Sequence, residues 1–268
     1  DQTMPEIFPE SSPGSFSYVE DCNKWVMTVF HHYQWDLNYS NPAVLVAMLN
    51  NVLHYGNLGV DILRIDAPAF IWKELGTTCQ NLPKAHVLLR LIKQCVMVAT
   101  PGMAILGEAI VAPEEIIKYF GEGIAAGDEC DIAYNANFMA LSWEAMATRS
   151  TELIKKSMKA VPVKPRNTTW INYARCHDDI GLGFDDALVK ELGLDSLAHR
   201  LYILQYFCDG FNGSAALGQR FMTEPETGKA RISGSLAALC GLEKAVSENN
   251  GNEIYLAVKR INLQHAII

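Results

Sequence analysis

Along this chain short β-rich apolar runs alternate with longer stretches whose apolar residues recur at helical spacing. Val44, Leu45, Met48, Val52, Leu53 and Tyr55 share one helical face. Asn41 suits the cap before them, Pro42 suits the first helical position, and Gly56 or Gly59 is the expected stop. The run Val60–Asp66 follows and reads as a strand with polar residues at its exit. The pattern repeats: a helix over 82–99, ended by Pro101-Gly102, leads into a strand over Met103–Glu108. A helix over 113–120 then precedes the strand-like Cys130–Tyr134. Helices within 138–160 lead to Thr169–Arg175, which runs into Cys176-His177-Asp178-Asp179. Strands alternating with helices of this length imply right-handed βαβ units and a parallel sheet.

The ends of the chain break this rhythm. The first forty residues, rich in Pro, Gly, Ser and aromatics, read as an ordered loop region. After Asp179 come a helix through 199–207, a Gly-Ser-Asn-rich loop and an apolar helix beyond Gly234. The final stretch, 252–268, again has helical spacing through Ile254, Leu256, Val258, Ile261 and Leu263. The expected organisation is a loop region at 1–40, a barrel portion at 41–180, an inserted subdomain at 181–247 and a last barrel helix at 248–268. The barrel is preferred because Arg64, Asp66, Glu108, His177 and Asp178 fall at the C-terminal ends of strands, where (β/α)₈ barrels place their chemistry. The predicted fold is therefore an incomplete (β/α)₈ TIM barrel with four strands and an insertion after the last of them. An open doubly wound sheet is the alternative, weakened because no Gly-rich phosphate turn follows any strand.

Composition narrows the function. The 268 residues are 49% hydrophobic and 19% charged, a globular balance with enough apolar material for a sizeable core. A net charge of −8 without a Lys or Arg run argues against binding a nucleic-acid backbone. The longest apolar stretch, from Val87 to Ala99, is broken by Arg90, Lys93 and Gln94, so no membrane span is expected. Asp1-Gln2-Thr3-Met4-Pro5 lacks the basic and apolar segments of a signal peptide. Seven cysteines without a C-x-x-C pair suit reduced, mostly buried thiols and a cytoplasmic location.

Three strand exits carry candidate chemistry. Arg64 and Asp66 are two apart in a strand and so share a face, where the guanidinium favours an ionised, nucleophilic carboxylate. A structural ion pair is the plainer reading of that spacing. Glu108 ends an almost wholly apolar strand, where desolvation and a nearby carboxylate raise its pKa toward that of a general acid; a cap or salt-bridge partner is the alternative. His177-Asp178-Asp179 sets a hydrogen-bonding imidazole beside two carboxylates. Consecutive strand residues point alternately, so a bend is needed before more than one of them meets the same ligand. A solvated acidic loop is the plain alternative; a metal site is disfavoured, because no further His or Asp has ligand spacing.

Gly59-Val60-Asp61-Ile62-Leu63-Arg64-Ile65-Asp66-Ala67 resembles the fourth-strand motif of the α-amylase superfamily, glycoside hydrolase family 13. Gly107-Glu108-Ala109 resembles its fifth-strand motif and His177-Asp178-Asp179 its seventh. Within that superfamily the chain is most similar to amylosucrases, through Glu6-Ile7-Phe8-Pro9, the segment from Gln34 to Pro42, the segment from Asp66 to Lys73, Glu108-Ala109-Ile110-Val111, His177 to Gly181, and Thr227 to Gly234. The resemblance implies Asp66 as nucleophile, Glu108 as acid/base and Asp178 as the carboxylate that grips the distorted sugar. It places Arg64 and His177 at the glucosyl unit, Asp179 and Arg231 at the fructosyl unit, and Phe30 and Ile110 as apolar walls. Sucrose and an α-1,4-glucan are the implied donor and acceptor, with fructose released through a covalent glucosyl-enzyme and with neither cofactor nor metal. Carboxyl groups about 5 to 5.5 Å apart are expected for such a retaining pair. The resemblance sets the family's third-strand Asp and His before residue 1 and its final barrel strand after residue 268. Cys176 and Leu182 stand where Ser and Trp are expected, near the ligand face, and Pro5 stands where some members carry Arg. A sucrose or α-glucoside hydrolase is the alternative of the same class; a non-catalytic carbohydrate-binding relative or an inactive fragment is that of another.

Overall fold

The aromatic-rich opening of the chain holds regular structure that its composition hides. β1 (Phe16–Val19) and β2 (Lys24–Met27) form an antiparallel hairpin in which Phe16 faces Met27 and Tyr18 faces Trp25. Strands of four residues are too short for alternation to stand out among Pro, Gly and Ser; cross-strand aromatic pairing supplies the cohesion. The computed structural model describes residues 3, 4 and 6–268, so Pro5 lies outside the described residues.

The chain divides into two compact units, one running to Tyr134 and including Val163–Trp170, the other comprising Asn135–Pro162 and Ile171–Ile268. In the first unit α1 (Pro42–Asn57) starts as its sequence requires: Pro42 opens the helix and the Asn41 side chain accepts from the Ala43 amide. β3 (Ile62–Asp66), α2 (Pro83–Ala99), β4 (Ala104–Glu108), α3 (Pro113–Ile116) and β5 (Ile132–Tyr134) follow. The helix expected over 113–120 finishes as a 3-10 turn, Ile117–Phe120, which buries Tyr119 and Phe120. β3, β4 and β5 lie in parallel, and the sheet continues in chain order to β6 (Thr169–Ile171).

β3 shows how the strand period positions chemistry. Leu63 and Ile65 turn to one face and pack with Leu45, Leu49 and Val52 of α1 and Ile92 and Val96 of α2. The alternate residues Ile62, Arg64 and Asp66 are exposed on the other face. Beside this strand Gly107 has room for no side chain: a Cβ there would meet Cys130 Sγ at 2.7 Å. Cys130 is itself buried, with its thiol pushed up to about 12 by that burial, so it cannot turn aside into solvent. Gly107→Ala is expected to lower stability by about 1 to 3 kcal/mol through overpacking. Thermal melts of Gly107→Ala, alone and combined with Cys130→Ala, check this; an undiminished loss in the double variant would refute the stated cause.

The second unit holds α4 (Ala136–Thr148), α5 (Glu152–Ala160), α6 (Asp186–Glu191), α7 (Ser196–Cys208), β7 (Gln219–Phe221), β8 (Arg231–Ser233), α8 (Leu236–Leu239), α9 (Leu242–Ser247) and α10 (Gly251–Ala266). Asn135, Asp185, Asp195, Ser235 and Asn250 each cap the helix that follows through a side-chain oxygen. One apolar core joins Met139, Leu141 and Trp143 of α4 with Phe184, Ile203, Phe207, Ile232 and Leu239, so the segment 181–247 shares its core with α4. His199 of α7 reaches Glu144 of α4 at 3.0 Å inside that core. The Gly-rich stretch read as a loop contains the antiparallel β7–β8 hairpin, with Arg220 facing Ile232.

Leu182, expected near a ligand face, instead turns into this core. Its carbonyl is held by Arg200 Nε at 3.0 Å, and Arg200 also grips the Phe184 carbonyl at 2.7 Å, which fixes the backbone with Leu182 inward. The strand expected over Thr169–Arg175 ends at Ile171, so His177 and Asp178 lie on an irregular segment beyond the strand end. All seven cysteines are free; Cys79, Cys130 and Cys240 are buried and Cys22 is exposed. Among the described residues no helix is long and apolar enough to cross a membrane.

Candidate active site

In the first unit Asp66 and Glu108 are partners in the parallel register of β3 and β4, each the last residue of its strand. Adjacent strands lie about 4.8 Å apart, so the register alone brings two carboxyl groups side by side. Arg64 sits between them: Nη1 is 2.8 Å from Asp66 Oδ1 and Nη2 is 3.1 Å from Glu108 Oε1. The same guanidinium is hydrogen-bonded to Tyr134 at the end of β5, so one cation ties together the exits of three strands. The Arg64-x-Asp66 pair is an ion pair, and it is also the bridge to Glu108.

The two carboxyl groups differ in environment. The Asp66 side chain is 74% exposed and that of Glu108 only 14%. Burial pushes the Glu108 carboxyl above its ordinary value, and the Asp66 charge together with a hydrogen bond to Asp66 adds to the rise. The Ala67 amide and the Arg64 charge pull the other way without cancelling it. Two neighbouring strand ends thus carry carboxyl groups in unlike environments, with the pKa of the more enclosed Glu108 raised, which is the asymmetry that acid-plus-nucleophile chemistry uses.

Ala67 has no sequence signature for its part. It adopts φ +43°, ψ +48°, left-handed backbone that costs a residue with a Cβ. That twist aims its amide at Glu108 Oε2, 3.2 Å away. A 3-10 turn, Pro68–Phe70, follows, and Phe70 meets Phe30 edge-on with ring centroids 5.2 Å apart. Phe30 also contacts Phe8. Ile110, just past β4, is exposed.

The second unit holds the other candidates. His177 Nε2 lies 3.4 Å from Asp178 Oδ1, and Arg231 Nη1 lies 3.1 Å from Asp179 Oδ2. Ile180 and Ile232 exchange backbone hydrogen bonds of 2.9 and 3.0 Å, which fastens the segment after β6 to the β7–β8 hairpin. Arg231 thus reaches Asp179 because its neighbour in β8 is pinned to Ile180. Arg175 completes the fastening: Nε donates to the Gly234 carbonyl at 2.8 Å and Nη1 to the carbonyls of Cys176 and Asp178. Arg175 touches backbone alone in these bonds, so it acts as a positioning residue. Its position at a strand exit suggested no such grip, because the bonds run to main-chain atoms that no side-chain pattern marks. Among the described residues, Cys176, His177 and Asp178 form the group whose donor atoms could hold a metal ion.

Known proteins share this arrangement of elements. Residues 2–180 match the family described as alpha amylase, catalytic domain. The chain is 33% identical over 199 residues to glucosylglycerate phosphorylase of Escherichia coli (strain K12), covering 74% of this chain and 35% of that protein. It is 31% identical over 176 residues to trehalose synthase/amylase TreS of Mycobacterium tuberculosis (strain CDC 1551 / Oshkosh), covering 66% of this chain and 29% of the relative. The chain thus spans about a third of the length of the curated relatives it matches. In fold it is similar to sucrose 6F-phosphate phosphorylase from Thermoanaerobacter thermosaccharolyticum, with a TM-score of 0.52 at 21% identity, covering 70% of this chain and 39% of the other.

Proposed function

This chain belongs to the alpha-amylase family, and from that premise we propose that it carries the catalytic carboxylates of a retaining enzyme acting on α-glucosides, with sucrose as donor and an α-1,4-glucan as product. The four-stranded sheet is then part of a TIM barrel, with the site at its strand exits. The observation that carries the reading is the pairing of exposed Asp66 with half-buried Glu108, whose pKa that burial raises, across one register position and under a shared Arg64.

Glu108 protonates the glycosidic oxygen while Asp66 attacks the anomeric carbon, and the donor's aglycone leaves. The glucosyl group rests on Asp66; Glu108, now a carboxylate, takes a proton from the acceptor hydroxyl as the second displacement restores the α configuration. The register that sets Asp66 opposite Glu108 on adjacent strands, with Arg64 bridging both, supports retention over inversion. Strands lie about 4.8 Å apart, whereas an inverting pair stands about 6.5 to 9.5 Å apart to admit a water. Asp178 and His177 are assigned to the glucosyl unit and Asp179 and Arg231 to the leaving sugar, with Phe30 and Ile110 as apolar walls; Leu182 has no part in it. The chemistry needs carboxylates and shape, with no cofactor.

A second reading is favoured by the similarity to glucosylglycerate phosphorylase: the same intermediate, intercepted by phosphate. Incubating the full-length protein with sucrose, with and without inorganic phosphate, separates the outcomes. Fructose in excess over free glucose, with polymer, is the expected result. A glucose phosphate formed only when phosphate is present means phosphorolysis, equal amounts of the two sugars mean hydrolysis, and no product from sucrose removes it as donor.

A further inference from the structure

The segment after β6 gathers a thiol, an imidazole and a carboxylate at one point. The donor atoms of Cys176, His177 and Asp178 all lie within 4.8 Å of one another. His177 Nε2 is 3.4 Å from Asp178 Oδ1, and Cys176 Sγ is 3.7 Å from Asp178 Oδ2. Zinc bonds of about 2.3 Å to sulfur and about 2.0 Å to nitrogen and oxygen, in tetrahedral geometry, place donors about 3.3 to 3.6 Å apart. The Asp178 carboxylate thus stands near metal-bound spacing from both the imidazole and the thiol, one through each oxygen. A small rotation of these side chains within the 4.8 Å cluster brings all three donors to one ion.

Consecutive residues in an extended strand would point to opposite sides and could not converge in this way. Here the backbone bends at His177 and Asp178. Arg175 holds the bend by gripping the carbonyls of Cys176 and Asp178 on either side of His177. The convergence is thus built into the local fold by a residue that is not a ligand. The His177 side chain is 75% exposed, which leaves a path for an ion. Sulfur, nitrogen and oxygen donors together suit a borderline-soft divalent cation and are poor for Mg²⁺ or Ca²⁺, which take oxygen shells.

We propose that Cys176, His177 and Asp178 bind one divalent cation of the Zn²⁺ class, and that the bound ion competes with the sugar. On binding, the Cys176 thiol gives its proton to solvent and a metal–thiolate bond forms. The ion occupies three of its positions with protein and keeps the remainder for water. Competition follows because His177 and Asp178, assigned above to the glucosyl unit, become ligands; this half of the inference rests on the proposed function, and the binding half does not.

The test uses Co²⁺ and Zn²⁺ on the full-length protein. One equivalent of Co²⁺ should give the near-ultraviolet sulfur-to-cobalt charge-transfer band, Zn²⁺ should bleach it, and Cys176→Ser should lose it. In steady-state assays Zn²⁺ should raise the KM for the donor with kcat unchanged. Cys176→Ser should resist Zn²⁺ by about tenfold or more, since even an outer-shell partner is worth roughly 10- to 100-fold in metal affinity. Absence of the band in the unmodified protein, or the same band in Cys176→Ser, overturns the site. Equal Zn²⁺ inhibition of both proteins, or none of either, overturns the competition. A protein inactive on every α-glucoside tried would refute the functional reading and leave the cobalt result to decide the site.

Discussion

Asp66→Asn is expected to cut kcat of the full-length protein by about 10⁴-fold or more, in keeping with loss of a covalent nucleophile. The amide keeps the shape of the carboxylate, so KM for the donor should change little and the folded state should survive. It removes the negative charge that Arg64 faces at 2.8 Å and with it the nucleophilicity of the oxygen that attacks the anomeric carbon. The accompanying measurement is mass spectrometry of the unmodified protein quenched during turnover, which should find a glucosyl adduct on the peptide carrying Asp66. Full activity in Asp66→Asn, or an adduct on another peptide, would end the assignment.

Glu108→Gln should lower kcat/KM about 10²- to 10⁴-fold, the range of a general acid/base. The loss should shrink for a donor whose leaving group needs no protonation, where the glucosyl-enzyme forms and then waits for a base. The pH profile gives a sharper signature. Burial, then Asp66, raises the Glu108 pKa above its ordinary value of 4.5, so the acid form persists to higher pH than a free glutamic acid allows. Activity that depends on that proton falls as pH rises through the raised pKa, and this limb should vanish in Glu108→Gln. Stability follows the same sign. The folded state holds the proton more tightly than the unfolded chain, so Glu108 contributes most below the ordinary carboxylate pKa and that contribution is lost as pH rises through the raised value. Glu108→Gln should flatten this part of the stability–pH curve in melts taken at stepped pH. An unchanged alkaline limb would identify a different acid.

Strand and helix alternation from Asn41 to Ile171 was legible because the long helices α1, α2 and α4 keep one period. The short apolar runs between them, down to three residues in β5 and β6, are read from their place in that rhythm. Asn41-Pro42 marks a helix start by local hydrogen bonding, and the run to Asp66 marks a strand by apolar content; both need little beyond their neighbours. The two hairpins were not legible. Phe16–Val19 and Gln219–Phe221 have four and three residues, and their partners across the turn, not their own pattern, make them strands. α6 carried its Asp185 cap in plain view yet is a single short helix of six residues, too brief for periodicity to register. Leu182 shows the converse: its neighbours in the chain place it beside His177 and Asp178, while Arg200 draws the backbone so that its side chain joins the core.

The sequence by itself determined which residues are chemically capable: an Arg and an Asp two apart on one strand, a Glu at the end of another, and a His with two Asp residues beyond a third. Residue type and the strand period are local properties, readable from neighbours alone. Only the tertiary structure decided what those groups do to one another. The register that sets Asp66 opposite Glu108, the left-handed turn at Ala67 that lends it an amide, and the Arg175 grip that bends Cys176 to Asp178 into one cluster depend on contacts between distant or main-chain atoms. A pKa answers to burial and to charges a few ångströms away in space, and no distance along the chain encodes either.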